Sequence, residues 1–67
     1  MKMATVRALR YAGNLIRREL DVRLDSFCLR RPDGSLDESV MDRNEKRDVH
    51  ECRTALRKIE AALRVEG

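Results

Sequence analysis

Val49-His50-Glu51-Cys52-Arg53-Thr54-Ala55-Leu56-Arg57-Lys58-Ile59-Glu60-Ala61-Ala62-Leu63 is the stretch whose reading decides the fold. Val49, Cys52, Leu56, Ile59 and Leu63 recur at alternating spacings of three and four, with Ala55 and Ala62 beside them. That is the apolar stripe of an amphipathic helix, buried on one side and wet on the other. The composition agrees: 40% of residues are charged, and Tyr11 and Phe27 are the only aromatics among 67 residues. Such a chain suits long helices far better than a sheet, so an all-α fold is expected.

Upstream, a first helix is expected from Ala4 to about residue 30, stopped by Pro32, which disfavours helical geometry in the residue before it. It carries two apolar faces. Val6, Leu9, Gly13, Ile16, Leu20, Leu24 and Phe27 form one, and Ala4, Ala8, Tyr11, Leu15, Val22 and Leu29 form another on nearly the opposite side. A single antiparallel partner helix covers only one of these, so the second face predicts a homo-oligomer, with a dimer favoured. The shortness of the chain points the same way, because so few residues bury too little surface to offset their conformational entropy comfortably. Gly13 either permits close helix approach or weakens the helix by about 1 kcal/mol relative to Ala.

Pro32-Asp33-Gly34 marks a turn at about residues 31–35. Two starts for the second helix follow, Ser35 with Glu38 and Asp42 with Glu45, each resembling a capping box. With the second start, residues 32–41 form a loop or a short separate turn of helix carrying Leu36, Val40 and Met41. Either way the helix runs to about residue 65, and 1–67 reads as one helical-hairpin domain.

The hairpin is polarised in charge. Residues 1–31 carry eight Lys or Arg against three Asp or Glu, residues 32–51 three against seven, and residues 52–67 four against two. Glu45 and Asp48 project onto the apolar side of the second helix, where they would meet Arg18 and Arg23 as ion pairs or form an acidic notch. Arg43, Lys46, Arg47, His50, Arg53, Arg57 and Arg64 project away from that side. With Arg7 and Arg10 of the first helix they make a basic face, rich in Arg, which forks onto carboxylate or phosphate. A charged helix face is usually just solvated; an acidic protein partner is the first functional expectation for this one, and the Ala8, Tyr11, Leu15 and Val22 face is the second candidate contact surface. Nucleic acid is the alternative, although no helix-turn-helix, zinc-finger or RNA-binding signature appears.

Catalysis is not expected. There is one histidine, no Gly-rich phosphate loop and no nucleophile placed with a base. Cys28, His50 and Cys52 match no four-ligand zinc spacing, and Cys28 would lie opposite the high thirties, far from Cys52. No metal, cofactor or disulfide is therefore expected. Apolar runs of two or three residues cannot span a membrane, and no secretory leader pattern opens the chain, so a cytoplasmic protein is expected.

In helix count, helix length and loop the chain is similar to helical hairpins that dimerise into four-helix bundles, such as the plasmid copy-number regulator Rop and the hairpin chaperones of type III secretion. Small Arg-rich helical chains also occur among phage-encoded inhibitors of host machinery. The resemblance is one of architecture and implies a self-associating bundle. Function is expected to be stoichiometric: an adaptor or inhibitor of a protein partner, with a Rop-like nucleic-acid binder using outward arginines as the alternative.

Overall fold

A computed structural model describes residues 2–66. Two long helices, α1 (Met3–Phe27) and α2 (Arg43–Glu66), pack against each other as an antiparallel hairpin. Between them lie β1 (Leu29–Arg30), β2 (Leu36–Asp37) and one turn of 3-10 helix, Glu38–Val40. The all-helical expectation thus gains a small antiparallel ribbon, with Leu29 opposite Asp37 and Arg30 opposite Leu36.

The first helix ends at Phe27, a few residues before the expected stop. Cys28 turns extended (φ −105°, ψ 155°), and its N–H still reaches the Leu24 carbonyl at 3.0 Å. The gain is burial, because Cys28 enters the core instead of continuing the helix. Arg30 and Arg31 work in the ribbon and turn. Arg30 bonds Asp25 and the Gly34 carbonyl, each at 3.0 Å, and Arg31 lies 3.5 Å from Asp37.

The turn that reverses the ribbon closes through Gly34 N–H to the Arg31 carbonyl at 2.9 Å. Gly34 adopts φ 89°, a left-handed conformation costly to residues with a Cβ. Ser35, one of the two candidate caps, is claimed by Asp33, whose Oδ1 accepts from the Ser35 N–H at 2.9 Å and hydroxyl at 2.6 Å. The start of α2 therefore falls to Asp42. Asp42 Oδ1 accepts the Glu45 N–H at 2.8 Å, and Glu45 Oε1 accepts the Asp42 N–H at 2.9 Å, a reciprocal capping box. Asp37 caps the intervening 3-10 turn, accepting from the Ser39 N–H at 3.0 Å.

The core gathers where α1 ends, the connection passes and α2 begins. Val49 is 1% exposed and is buried together with Cys28 and Met41, with Leu20, Leu24, Phe27 and Leu36 packed around them. Toward the open end, Leu56 is buried, and Gly13 lies at the helix contact. A Cβ at Gly13 would stand 3.4 Å from Ile59 Cγ2, the near edge of ordinary contact. So the approach is close, yet one methyl fits.

Two substitutions test this packing. Gly13→Ala is expected to raise the melting temperature, since the helix gains about 1 kcal/mol and the added methyl meets Ile59 without a clash; a lowered value would show the contact to be tighter than described. Leu56→Asp is expected to abolish the helical circular-dichroism signal, because an unpartnered charge on the seam costs several kcal/mol against a marginal total.

Candidate binding surfaces

Along α2 the basic residues repeat with the helix. Arg43, Lys46, His50, Arg53, Arg57 and, two turns on, Arg64 follow one another at spacings of three, four and seven, which places them on one flank. Arg47 lies further round toward the outermost side. Arg43, Lys46, Arg47, His50, Arg57 and Arg64 are all exposed. Arg10 and Arg17 of α1 border the same flank, since they line a groove with Leu56, Ile59, Glu60 and Leu63. Arg7 is also exposed, closer to the outer side of α1.

Arg53 departs from its expected place as a free outer cation. Its two terminal nitrogens each lie 2.9 Å from an oxygen of Glu38, a bidentate pair that ties α2 to the 3-10 turn. Arg53 thereby holds the Glu38 carboxyl below its ordinary range, the hydrogen bond being the main cause. Beside the pair opens a cavity of about 350 Å³. Met41 and Val49 form its floor, and Lys46, His50, Arg57 and the paired Arg53 and Glu38 its rim. His50 Nε2 also lies 3.5 Å from Thr54 Oγ1, one turn along the helix.

The acidic residues of the seam are engaged internally. Glu45 is consumed by the capping box, and Asp48 Oδ2 lies 2.9 Å from Arg23 Nε. That N–H is not aligned on the oxygen, so the contact is ionic. Arg23 is further held by Glu19 at 2.7 Å, and the two carboxylates push its pKa up, Glu19 foremost. Of the expected partners of Asp48 and Glu45, Arg23 is engaged, whereas no ion pair to Arg18 is seen among the described residues. Arg17 meets Glu60 at 3.4 Å, an exposed pair of little energetic weight.

The second face of α1 is open to solvent. Tyr11 is 67% exposed, Leu15 43% and Val22 57%, and Ala4 and Ala8 are exposed with them. The cysteines are free, Cys28 buried and Cys52 half-buried, and burial raises the pKa of the Cys28 thiol. Among the described residues no three His, Cys, Asp or Glu side chains converge on a metal-sized site, and no helix is long and apolar enough to cross a membrane. The Arg53–Glu38 clamp had no signature in the sequence, because the pair joins an irregular turn to a helix. The only hint was an acidic loop beside a basic helix.

No protein family, curated protein or solved structure matches the chain.

The clamp has a pH signature. Glu38 and Asp37 both titrate below their ordinary ranges, Glu38 because of Arg53 and Asp37 because of Ser39. The folded protein therefore binds these protons less readily than the unfolded chain, and stability is full above about pH 4.3, the ordinary glutamate value. It falls as pH drops through the depressed values. Thermal melts between pH 7 and pH 2 are expected to show this acid limb, and Glu38→Gln to lower the melting temperature at neutral pH while flattening the limb.

Proposed function

We propose that the chain is a small non-enzymatic binding protein, acting stoichiometrically as an adaptor or inhibitor on an acidic protein partner. The observation that carries this is the basic flank of α2 running past a cleft with an apolar floor, Met41 and Val49 beneath Lys46, His50 and Arg57, with the Arg53–Glu38 pair at its edge. An acidic helical segment with one apolar side chain fits such a surface. The apolar residue would sit over the cleft while its carboxylates met Lys46 and Arg57, combining area burial with charge steering.

Carboxylates set into the same flank favour a protein partner over nucleic acid. Glu38 and Glu60 lie on it, each paired with an arginine, and they interrupt any continuous track of cations for phosphates. The net charge of +3 is also small for a nucleic-acid footprint. The binding unit in this proposal is a homodimer held through the open face of α1. It works in the cytoplasm, where Cys28 and Cys52 stay reduced.

The test is fluorescence anisotropy with two probes, a Glu-rich helical peptide bearing a central leucine and a mixture of short RNA and DNA duplexes. The peptide is expected to bind, and Lys46→Glu with Arg57→Glu to weaken it by about tenfold or more. Preference for the duplexes, with a loss of about a thousandfold between 50 and 200 mM salt, would replace this function with the Rop-like alternative.

A further inference from the structure

The accessible surface of the chain is 5313 Å² for a mass of 7.8 kDa. A folded monomer of that mass is expected to expose about 4,400 Å², so roughly 900 Å² is in excess. A stable interface buries about 800 Å² from each partner. The excess therefore matches what one protomer gives up to one partner, and the outer face of α1, where Tyr11, Leu15 and Val22 are exposed along one helix, is an apolar surface able to supply it.

The sequence of that face selects the occupant and its direction. Ala4, Ala8, Tyr11, Leu15, Arg18 and Val22 follow at steps of four, three, four, three and four, the seam of a two-stranded coiled coil with one charge in it. A parallel second copy in register would set Arg18 against Arg18 in the seam. An antiparallel copy with its two-fold near Gly13 removes that clash. It sets Arg18 against the partner's Ala8, where the small side chain leaves room for the arginine stem to reach water. It also places Tyr11 beside the partner's Leu15, twice, and Ala4 beside the partner's Val22. At the border of the seam Arg7 comes within reach of the partner's Asp21, again twice, whereas the parallel arrangement offers Arg7 no acidic neighbour.

We propose that α1 pairs with α1 of a second copy of this chain, antiparallel about a two-fold axis near Gly13, with Arg7 and Asp21 setting the register. This rests on the homodimer proposed above and specifies its geometry. The axis stands perpendicular to the helices, so it returns the Arg10, Arg17 and Arg57 side of one protomer to the same side in the other. The dimer presents two cationic flanks on one face, and an acidic partner is met bivalently.

Sedimentation equilibrium of the full chain, with circular dichroism on each variant, tests the pairing. The parent is expected to have twice the chain mass. Leu15→Glu is expected to be helical and monomeric. Arg7→Asp and Asp21→Arg are each expected to weaken the dimer by about tenfold, because two ion pairs become two repulsions, and the double variant to return to within about threefold of the parent. A parent that stays monomeric overturns the dimer itself, as does a Leu15→Glu chain that keeps the parent mass. A dimer sensitive to Leu15→Glu, but with no loss in the single charge variants or no recovery in the double, overturns only the antiparallel register.

Discussion

Val49 is the side chain nearly sealed from water, and the rest of the fold can be followed outward from it. A hairpin of two helices is a single layer, so neither helix is covered on more than one side by the other, and deep burial is hard to achieve along its length. It is achieved at one end because the connection folds back over the seam. Cys28 leaves α1, Met41 precedes α2, and both close over Val49. The ribbon, the Gly34 turn and the 3-10 helix are the means by which the chain returns Met41 to that point. The Arg53–Glu38 pair then ties the returning segment to α2 from the solvent side.

That arrangement explains which parts of the structure were legible in the sequence. The stripe from Val49 to Leu63 is a regular repeat, and regular repeats survive translation into structure because one physical demand, burial of one face, acts on every turn. The end of α1 obeys a different demand. Pro32 bounds the helix, but its actual stop at Phe27 is set by Cys28 entering a core whose other members lie thirteen and twenty-one residues away in sequence. No local pattern encodes such a meeting. The two candidate caps for α2 were equal in sequence because both have the right residues three apart. They became unequal once Asp33 captured the backbone and hydroxyl of Ser35, leaving Asp42 and Glu45 to satisfy each other.

The binding surfaces divide along the same line. Periodicity placed Arg43, Arg47, His50, Arg57 and Arg64 on the wet side of α2, where they are exposed, and Tyr11, Leu15 and Val22 on a face of α1 that the hairpin leaves open. Periodicity also placed Arg53 with these residues, and it lies on their flank, but Glu38 takes up its charge, because a residue at the edge of a face can be claimed by whatever packs alongside. Glu38 arrives by way of the connection, whose path the helical pattern does not describe. The cleft over Met41 and Val49 was invisible for the same reason, its floor and rim being assembled from two elements.

The internal ion pairs have a consequence for specificity. Arg23 with Asp48, and Arg53 with Glu38, join segments distant in sequence and hold the seam and the connection in one register. Their charges are largely spent within the fold, and the cations left over are those of the α2 flank and of the outer side of α1. Under the proposed function, a surface built this way would discriminate by arrangement rather than by net charge. Its carboxylates at Glu38 and Glu60 repel a uniformly anionic polymer at fixed points, yet leave Lys46 and Arg57 available to carboxylates that come at helical spacing. In the proposed dimer the same economy would govern α1, where Arg18 within the open seam penalises a parallel copy and Asp21 rewards an antiparallel one. Under the proposed function both surfaces would exclude the wrong occupant by misplaced charge and reward the right one by apolar contact.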